Sequence, residues 1–387
     1  MIKSILDTDL YKFTTSYAYM KMFPDAEGTF TFNDRDKTEY DETFIDMLKL
    51  ELANLSAIRL TKEEIKWCND NIRFIPKFYW EWLQSFHFDF EKIVIHLYSN
   101  GHLHISVTDK LYKATLYETP ILAIVSEVRN KWLGNTINMS DVIARLEPKV
   151  NLSNEYKLKF SEFGMRRRFS YNVQYEVCRY LKQHAQYCTG TSNVHMAMNF
   201  NMQAIGTHPH EWFMFHGAIY GYKQANYIAL ENWVNVYDGD LGIALSDTYT
   251  TDVFLKNFSR KHAKLFDGVR HDSGDPYLFV NKVINRYKEL GIDPTTKTII
   301  FSNALDFDTY KDITEYCRTR IRCAAGIGTN LTNDCGFKPS NIVMKLTNCR
   351  INPNQRWNTC VKLSDDEGKH MGFEDEIGNC LYELGLT

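Results

Sequence analysis

Residues that interrupt structure are scarce. Only 20 Gly and 9 Pro punctuate 387 residues, which excludes collagen-like and low-complexity chains and argues against disorder. A basic excess is also missing. Lys plus Arg is 45 against 48 for Asp plus Glu, a net charge of −3, so nothing draws the chain as a whole to nucleic acid or to an anionic membrane. Any anionic ligand must be met by a local cluster. None of the nine cysteines forms a C-x-x-C pair, which argues against a zinc site and against a disulfide framework. Long apolar runs are absent too: Met1-Ile2-Lys3-Ser4 leads directly to Asp7 and Asp9, and no stretch reaches the length of a membrane span. These absences leave the expectation of a reduced, cytoplasmic protein with no nucleic-acid or membrane partner. At roughly 100 to 200 residues per domain, two or three domains are expected. What is present suits a packed interior, with 44% hydrophobic and 24% charged residues. The 14% aromatic content also supplies rings that can stack on planar ligands.

Ile93, Ile95 and Leu97 alternate with polar residues, as do Leu103, Ile105 and Val107, and predict a hairpin. A three-residue loop Ser99-Asn100-Gly101, with Gly left-handed, puts both apolar sets on one face. His96, His102 and His104 then share the other face, read as solvated because no carboxylate or thiolate accompanies them. Thr119-Pro120 reads as an N-cap and first helical residue ahead of Ile121, Ile124, Val125 and Val128. From about Lys157 short apolar runs end near Phe163, Thr191, Thr207, Asp247, Asp272, Asn303 and Gly326, each followed by a helical stretch. Seven such units predict parallel β/α architecture, and the lack of a Rossmann glycine fingerprint favours a barrel over an open sheet. After Asn341, Ile342, Val343 and Leu346 are answered by Cys360, Val361 and Leu363 across a loop containing Pro353, which predicts antiparallel strands that rejoin the N-terminal domain.

The loops after the strands carry the unusual residues, and in β/α barrels those loops form the active-site face. Gly164-Met165-Arg166-Arg167-Arg168-Phe169-Ser170 sets forked donors at a strand-to-helix junction, suited to phosphate or pyrophosphate. Cations at a helix N-terminus oppose its dipole and need such a reason to be there. Gly326-Ile327-Gly328-Thr329 is either a phosphate cradle or a plain tight turn. In Arg270-His271-Asp272-Ser273-Gly274-Asp275-Pro276, Asp275 reads as a helix cap, leaving Arg270 and Asp272 for ligand work. In Gly206-Thr207-His208-Pro209-His210-Glu211-Trp212, His208 reads as structural and His210 beside Glu211 as a candidate nucleophile or acid/base. Met214 excludes the H-E-x-x-H zinc motif. Asp7-Thr8-Asp9-Leu10-Tyr11-Lys12 is either a capped first helix or a ligand segment, and its local pattern does not choose.

Taken in order, these segments, with Gly190-Thr191-Ser192-Asn193, Leu241-Gly242-Ile243-Ala244-Leu245-Ser246-Asp247 and Lys338-Pro339-Ser340-Asn341, resemble the nicotinate phosphoribosyltransferase family over nearly the whole chain. The resemblance implies that nicotinate, phosphoribosyl pyrophosphate and ATP become nicotinate mononucleotide, pyrophosphate, ADP and phosphate, a salvage step toward NAD that uses Mg²⁺. It implies an irregular seven-stranded, TIM-like α/β barrel over 126–340. An N-terminal α+β domain over 1–125 accompanies it, with 341–387 packing back on that domain. It further implies a homodimer with shared active sites, in which Phe163 and a partner-chain Tyr11 stack on the two faces of the pyridine ring. Arg270 would face the ring carboxylate, with Ser192 nearby. Arg166, Asp247, Asp272, Ser273, Gly326 and Gly328 would serve the phosphoribosyl and pyrophosphate groups, and Asn303 the ribose. His210 would be the histidine that ATP phosphorylates, with Glu211 orienting its ring; His210, Glu211 and Asp272 form the expected catalytic set.

Two residues depart from the family pattern: Asn303 and Glu162 each stand where Asp is usual. Two other functions compete with the main one. A nicotinamide-using relative would carry an acid at the position of Ser192, where it would repel nicotinate. A catalytically silent phosphoribosyl pyrophosphate-binding protein would not need His210 and Glu211. The implied chemistry requires no general base, because the pyridine nitrogen attacks with its lone pair while charge on the leaving pyrophosphate is stabilised.

Overall fold

The computed structural model describes residues 1–366 and 368–386. Its strands are β1 (Glu27–Asp34), β2 (Ile93–Leu97), β3 (Leu103–Lys110), β4 (Phe160–Glu162), β5 (Cys188–Thr191), β6 (Ile243–Leu245), β7 (Gly268–His271), β8 (Thr298–Phe301), β9 (Arg322–Ile327), β10 (Ile342–Arg350) and β11 (Asn358–Thr359). The chain divides into two compact units. Met1–Tyr17, Thr29–Gly206 and Ile327–Lys345 form the first; Ala18–Gly28, Thr207–Gly326 and the tail from Leu346 form the second. The units are cut differently from the expected domains, because residues 126–206 group with the N-terminal segment and most of the tail groups with 207–326.

In the first unit β1 lies between β3 and the start of β10, with β2 beyond β3. β2 and β3 are antiparallel in the register Ile93↔Val107, Ile95↔Ile105, Leu97↔Leu103, so one face is apolar as expected. The loop is Ser99-Asn100-Gly101, closed by Tyr98 N donating to His102 O at 2.9 Å. Gly101 takes φ +78, and a Cβ there would stand 3.0 Å from that of Glu39, so the turn requires glycine twice over. His96 and His104 face each other across the pair on the opposite side.

The expected cap at Thr119 is not formed. Helical turns over Leu111–Ala114 and Thr115–Tyr117 run straight into the helix Glu118–Trp132, so Thr119 and Pro120 fall inside its first turn. Proline is tolerated there because first-turn N–H groups have no intrahelical acceptor. The stripe Ile121, Ile124, Val125 and Val128 is buried.

β4 and β5 are parallel, pairing Glu162 with Thr191. Of the seven expected strands, six form. The run ending at Thr207 gives only a single parallel bridge, Thr191↔Ala204. In the second unit β6, β7, β8 and β9 pair in parallel in chain order. Gly268 is obligatory in that sheet, since a Cβ would lie 1.9 Å from Thr298 O. After β7, Asp275 caps the helix Pro276–Glu289 by accepting from Leu278 N, as expected. The tail meets expectation in part, since β10 joins the sheet of β1, β2 and β3. β10 and β11 pair antiparallel only at Asn348↔Thr359 and Cys349↔Asn358. Beyond them Leu363 N donates to Thr248 O at 2.8 Å. No helix among the described residues is long and apolar enough to cross a membrane.

Candidate active site

In the first unit Ser192, at the end of β5, is a fully buried node. Its N–H donates to Glu162 O (2.8 Å), its carbonyl accepts from Leu10 N (2.7 Å), and its hydroxyl donates to Asp9 Oδ1 (2.6 Å). The segments bearing Tyr11 and Phe163 are thereby tied to one residue. Glu162 reaches past Phe163 to accept from Gly164 N at 2.5 Å, and it also accepts from Thr191 and Gln174, so it clamps the backbone on both sides of Phe163. Phe163 N donates to Ile327 O at 2.8 Å. A Cβ on Gly164 would sit 2.0 Å from Thr332 Oγ1, and one on Gly328 would sit 3.1 Å from Phe163 O, so close backbone approach fixes both glycines.

The three arginines separate. Arg168 is fully buried and forks onto Asp7 at 2.8 and 3.0 Å. Burial alone would raise the Asp7 carboxyl, but Arg168 and Asn193 hold it below the usual range. Arg166 is partly exposed and 3.7 Å from Glu118. Buried Glu118 also meets Lys12 at 2.5 Å and Lys345 at 3.8 Å. Burial works against its charge, yet Lys12, Lys345 and Arg166 bring its pKa down to about 2. Asp9 goes the other way: burial foremost pushes it up to about 6, against the pull of Ser192 and Arg166.

In the second unit Pro209 precedes the helix His210–Tyr220, which His210 opens. The His210 ring is buried, with Nδ1 2.9 Å from Thr248 Oγ1 and Nε2 2.9 Å from Asp272 Oδ2 and 3.6 Å from Asp247 Oδ1. Burial first, then the charge of Lys362, pushes its pKa down to about 4 although Asp247 and Asp272 pull upward, so the ring is neutral at pH 7. Burial would raise Asp272, but the hydrogen bond from His210 and the charge of Arg270 hold it well below the usual range. An ionised Asp272 can only accept, which assigns the single ring proton to Nε2 and leaves the Nδ1 lone pair facing the Thr248 hydroxyl. Asp272 Oδ1 accepts from Ser302 Oγ and Asp247 Oδ2 from Ser273 Oγ, both at 2.6 Å.

Other polar atoms of this cluster are left over. Asp247 Oδ1 and Arg270 Nε are buried without a hydrogen-bond partner. Lys362, 9% exposed, has Asp247 at 3.9 Å as its ion-pair partner among the described residues, beyond hydrogen-bond distance. One atom each from His210, Asp247 and Asp272 lie within 4.8 Å of one another, and the two carboxylates among them are acceptors suited to a cation. His208 is structural as expected. Its Nε2 accepts from Leu245 N at 3.0 Å, and its ring packs on Phe213 and Trp233.

The nicotinate phosphoribosyltransferase N-terminal domain model matches residues 6–126, and the nicotinate phosphoribosyltransferase family model matches residues 158–381. The nicotinate phosphoribosyltransferase of Desulforapulum autotrophicum is 41% identical over 387 residues, covering 99% of each chain. The chain belongs to the nicotinate phosphoribosyltransferase family. It is an enzyme of that family, and solved structures agree. The Porphyromonas gingivalis nicotinate phosphoribosyltransferase superposes with TM-score 0.97 at 48% identity, covering all of both chains. That of Vibrio cholerae gives 0.93 at 35% identity, covering all of this chain and 94% of the other.

The geometry bears on three of the roles that family membership implies. Glu211 does not orient His210, because Thr248 and Asp272 occupy both ring nitrogens. Successive helix residues point about 100° apart, which turns Glu211 away from its neighbour's ring. The Ser192 hydroxyl is already engaged, donating to Asp9. The segment that carries Tyr11 is anchored within its own chain, where Leu10 and Asp9 are bonded to Ser192. Asn303, in place of the family's Asp, accepts from Lys369 at 3.3 Å. Sequence reasoning missed Thr248, Lys362 and Asp9 as site residues. Thr248 adjoins Asp247 and Asp9 lies two residues before Tyr11, so both had a positional signal; Lys362 had none.

Proposed function

We propose that this chain transfers the phosphoribosyl group of phosphoribosyl pyrophosphate to the ring nitrogen of nicotinate, forming nicotinate mononucleotide and pyrophosphate in cytoplasmic NAD salvage, coupled to ATP hydrolysis. The carrying observation is the set of unmatched groups around His210: Asp247 Oδ1 and Arg270 Nε, each buried without a hydrogen-bond partner, and Lys362, whose ion-pair oxygen on Asp247 is 3.9 Å away. Such a mixture suits a ligand bearing both cation and anion, as a metal-bound pyrophosphate does.

Tyr11 and Phe163 hold the pyridine ring, and Arg270 faces its carboxylate. Arg166, Ser273, Gly326 and Gly328 orient the phosphoribosyl and pyrophosphate groups, and Asn303 the ribose. The carboxylates of Asp247 and Asp272 fit Mg²⁺, with the unpartnered Asp247 oxygen as a ready ligand. When bound, the metal neutralises charge on the leaving pyrophosphate. The ring lone pair attacks the anomeric carbon as the bond to pyrophosphate breaks, so the protein positions groups and moves no proton at that step. For ATP coupling, Asp272 keeps the His210 proton on Nε2 and leaves Nδ1 as the nucleophilic nitrogen. The parallel strands are read as part of an irregular seven-stranded barrel (126–340) beside the α+β domain of 1–125. Assembly as a homodimer with shared active sites belongs to the same proposal, with a partner-chain Tyr11 on the ring face opposite Phe163.

The test is incubation with nicotinate, phosphoribosyl pyrophosphate and Mg²⁺, with and without ATP, and mass detection of the mononucleotide. Product that rises with ATP is expected. No product, or equal product from nicotinamide, overturns the assignment.

A further inference from the structure

The tail reaches the cluster at nearly every loop. Lys362 stands by Asp247, and Leu363 N donates to Thr248 O. Asp365 N donates to Ser273 Oγ at 3.0 Å while its carboxylate accepts from Thr251 N at 2.8 Å. Gly274 N donates to Asp366 Oδ1 at 3.0 Å, and Lys369 donates to Asn303. Each contact lands on a residue argued to bind ligand or within a few positions of one. This segment therefore straps the loops after β6, β7 and β8, and Lys362 is the charged group it delivers. An ammonium with little water around it is stable only with acceptors nearby, and the Lys362 side chain, 9% exposed, has its ion-pair oxygen among the described residues at 3.9 Å.

We infer that Lys362 is a further catalytic residue, the cation that pairs with the phosphoryl group while His210 carries it. This rests on the ATP-coupled function proposed above. In the forward step a His210 ring nitrogen bonds to the terminal phosphorus of ATP as the bond to the ADP oxygen breaks, and ADP leaves with that electron pair. In the return step water attacks the phosphorus, the nitrogen–phosphorus bond breaks, and the ring recovers its lone pair as inorganic phosphate departs. The phosphohistidine between these steps bears about two negative charges. Lys362 is placed to bond that anion, drawn from Asp247, which it holds only loosely at 3.9 Å. Arg270 serves substrate in the same cluster, so Lys362 is the cation left for the enzyme-bound phosphate.

The experiment measures acid-labile phosphoenzyme formed from ATP labelled in the terminal phosphate, in wild type, Lys362→Met and Lys362→Arg, together with mononucleotide formation. Lys362→Met is expected to lower the phosphoenzyme by about tenfold or more, and Lys362→Arg to restore most of it, since a charged donor is recovered. A merely structural lysine would not show that rescue. Wild-type phosphoenzyme in Lys362→Met overturns the inference alone. Equal loss in both variants, with cooperative thermal unfolding intact in both, also overturns it. A wild-type chain that makes mononucleotide but no phosphoenzyme overturns this inference together with the ATP-coupled function on which it rests.

Discussion

The two clusters are assembled from similar residues and finished differently. Around Ser192, both oxygens of Asp7 and Glu162 are hydrogen-bonded, and Gln174 and Asn193 use both donor and acceptor. Around His210, Asp247 Oδ1 and Arg270 Nε are left without partners, and Lys362 without a close one. A buried polar atom without a partner costs about 1–3 kcal/mol, so several in one place are kept for something that arrives. The carboxylates, rather than the arginines, separate framework from function, since Arg168 Nε in the first cluster is as unpartnered as Arg270 Nε in the second. Arg166 and Arg168 look alike in the sequence, yet one is a buried counter-ion and the other is partly exposed.

The largest expected effect lies in the satisfied region. Arg168→Met would strand Asp7 as a buried carboxylate, and unfolding free energy in urea should fall by about 3–5 kcal/mol. Unfolding at the wild-type urea concentration would remove this pair from the framework. Asp9 comes next. Its folded pKa is raised from 3.8 to about 6, so its contribution is full below the unfolded value and disappears as pH climbs through 6. Asp9→Asn should therefore flatten the stability profile between about pH 4 and 6, and gain up to about 3 kcal/mol at pH 7. An unchanged slope would mean that Asp9 is ionised throughout.

In the unsatisfied region the signs reverse. Asp247→Asn should leave stability within about 1 kcal/mol of wild type while kcat/KM for mononucleotide formation drops about a hundredfold. A stability loss like that of Arg168→Met would place Asp247 in the framework instead. The smallest effect is a partial recovery. With Tyr11 supplied by the partner chain, mixing inactive Tyr11→Ala and His210→Asn chains should restore some activity through mixed dimers. No recovery, despite demonstrated subunit exchange, would count against a site built from two chains.

The strand ends were legible because apolar runs stopped at residues that alternation and turn chemistry mark, as at Asp272 with its Asp275-Pro276 helix start. The run to Thr207 misled because one bridge at Ala204 satisfies local patterning without a ladder. Thr119-Pro120 misled because the preceding segment is already helical, which a cap signal cannot reveal. His210, Asp247 and Asp272 were legible as loop residues and do converge. Lys362 was not, since its meaning comes from contacts more than a hundred positions away. The Asp9–Ser192 bond was hidden in the same way, being a pairing across 183 positions between two segments read separately.

The strap also bears on the order in which the protein is made. Synthesis runs from the N-terminus, so β6 to β9 have left the ribosome before Lys362 and Asp365 are joined to the chain. A nascent polypeptide can thus hold its strands and its histidine while lacking the lysine and the clasp on the Ser273 loop. Until those residues are joined the Ser273 loop has no clasp, so competence should arrive late in synthesis rather than grow with length.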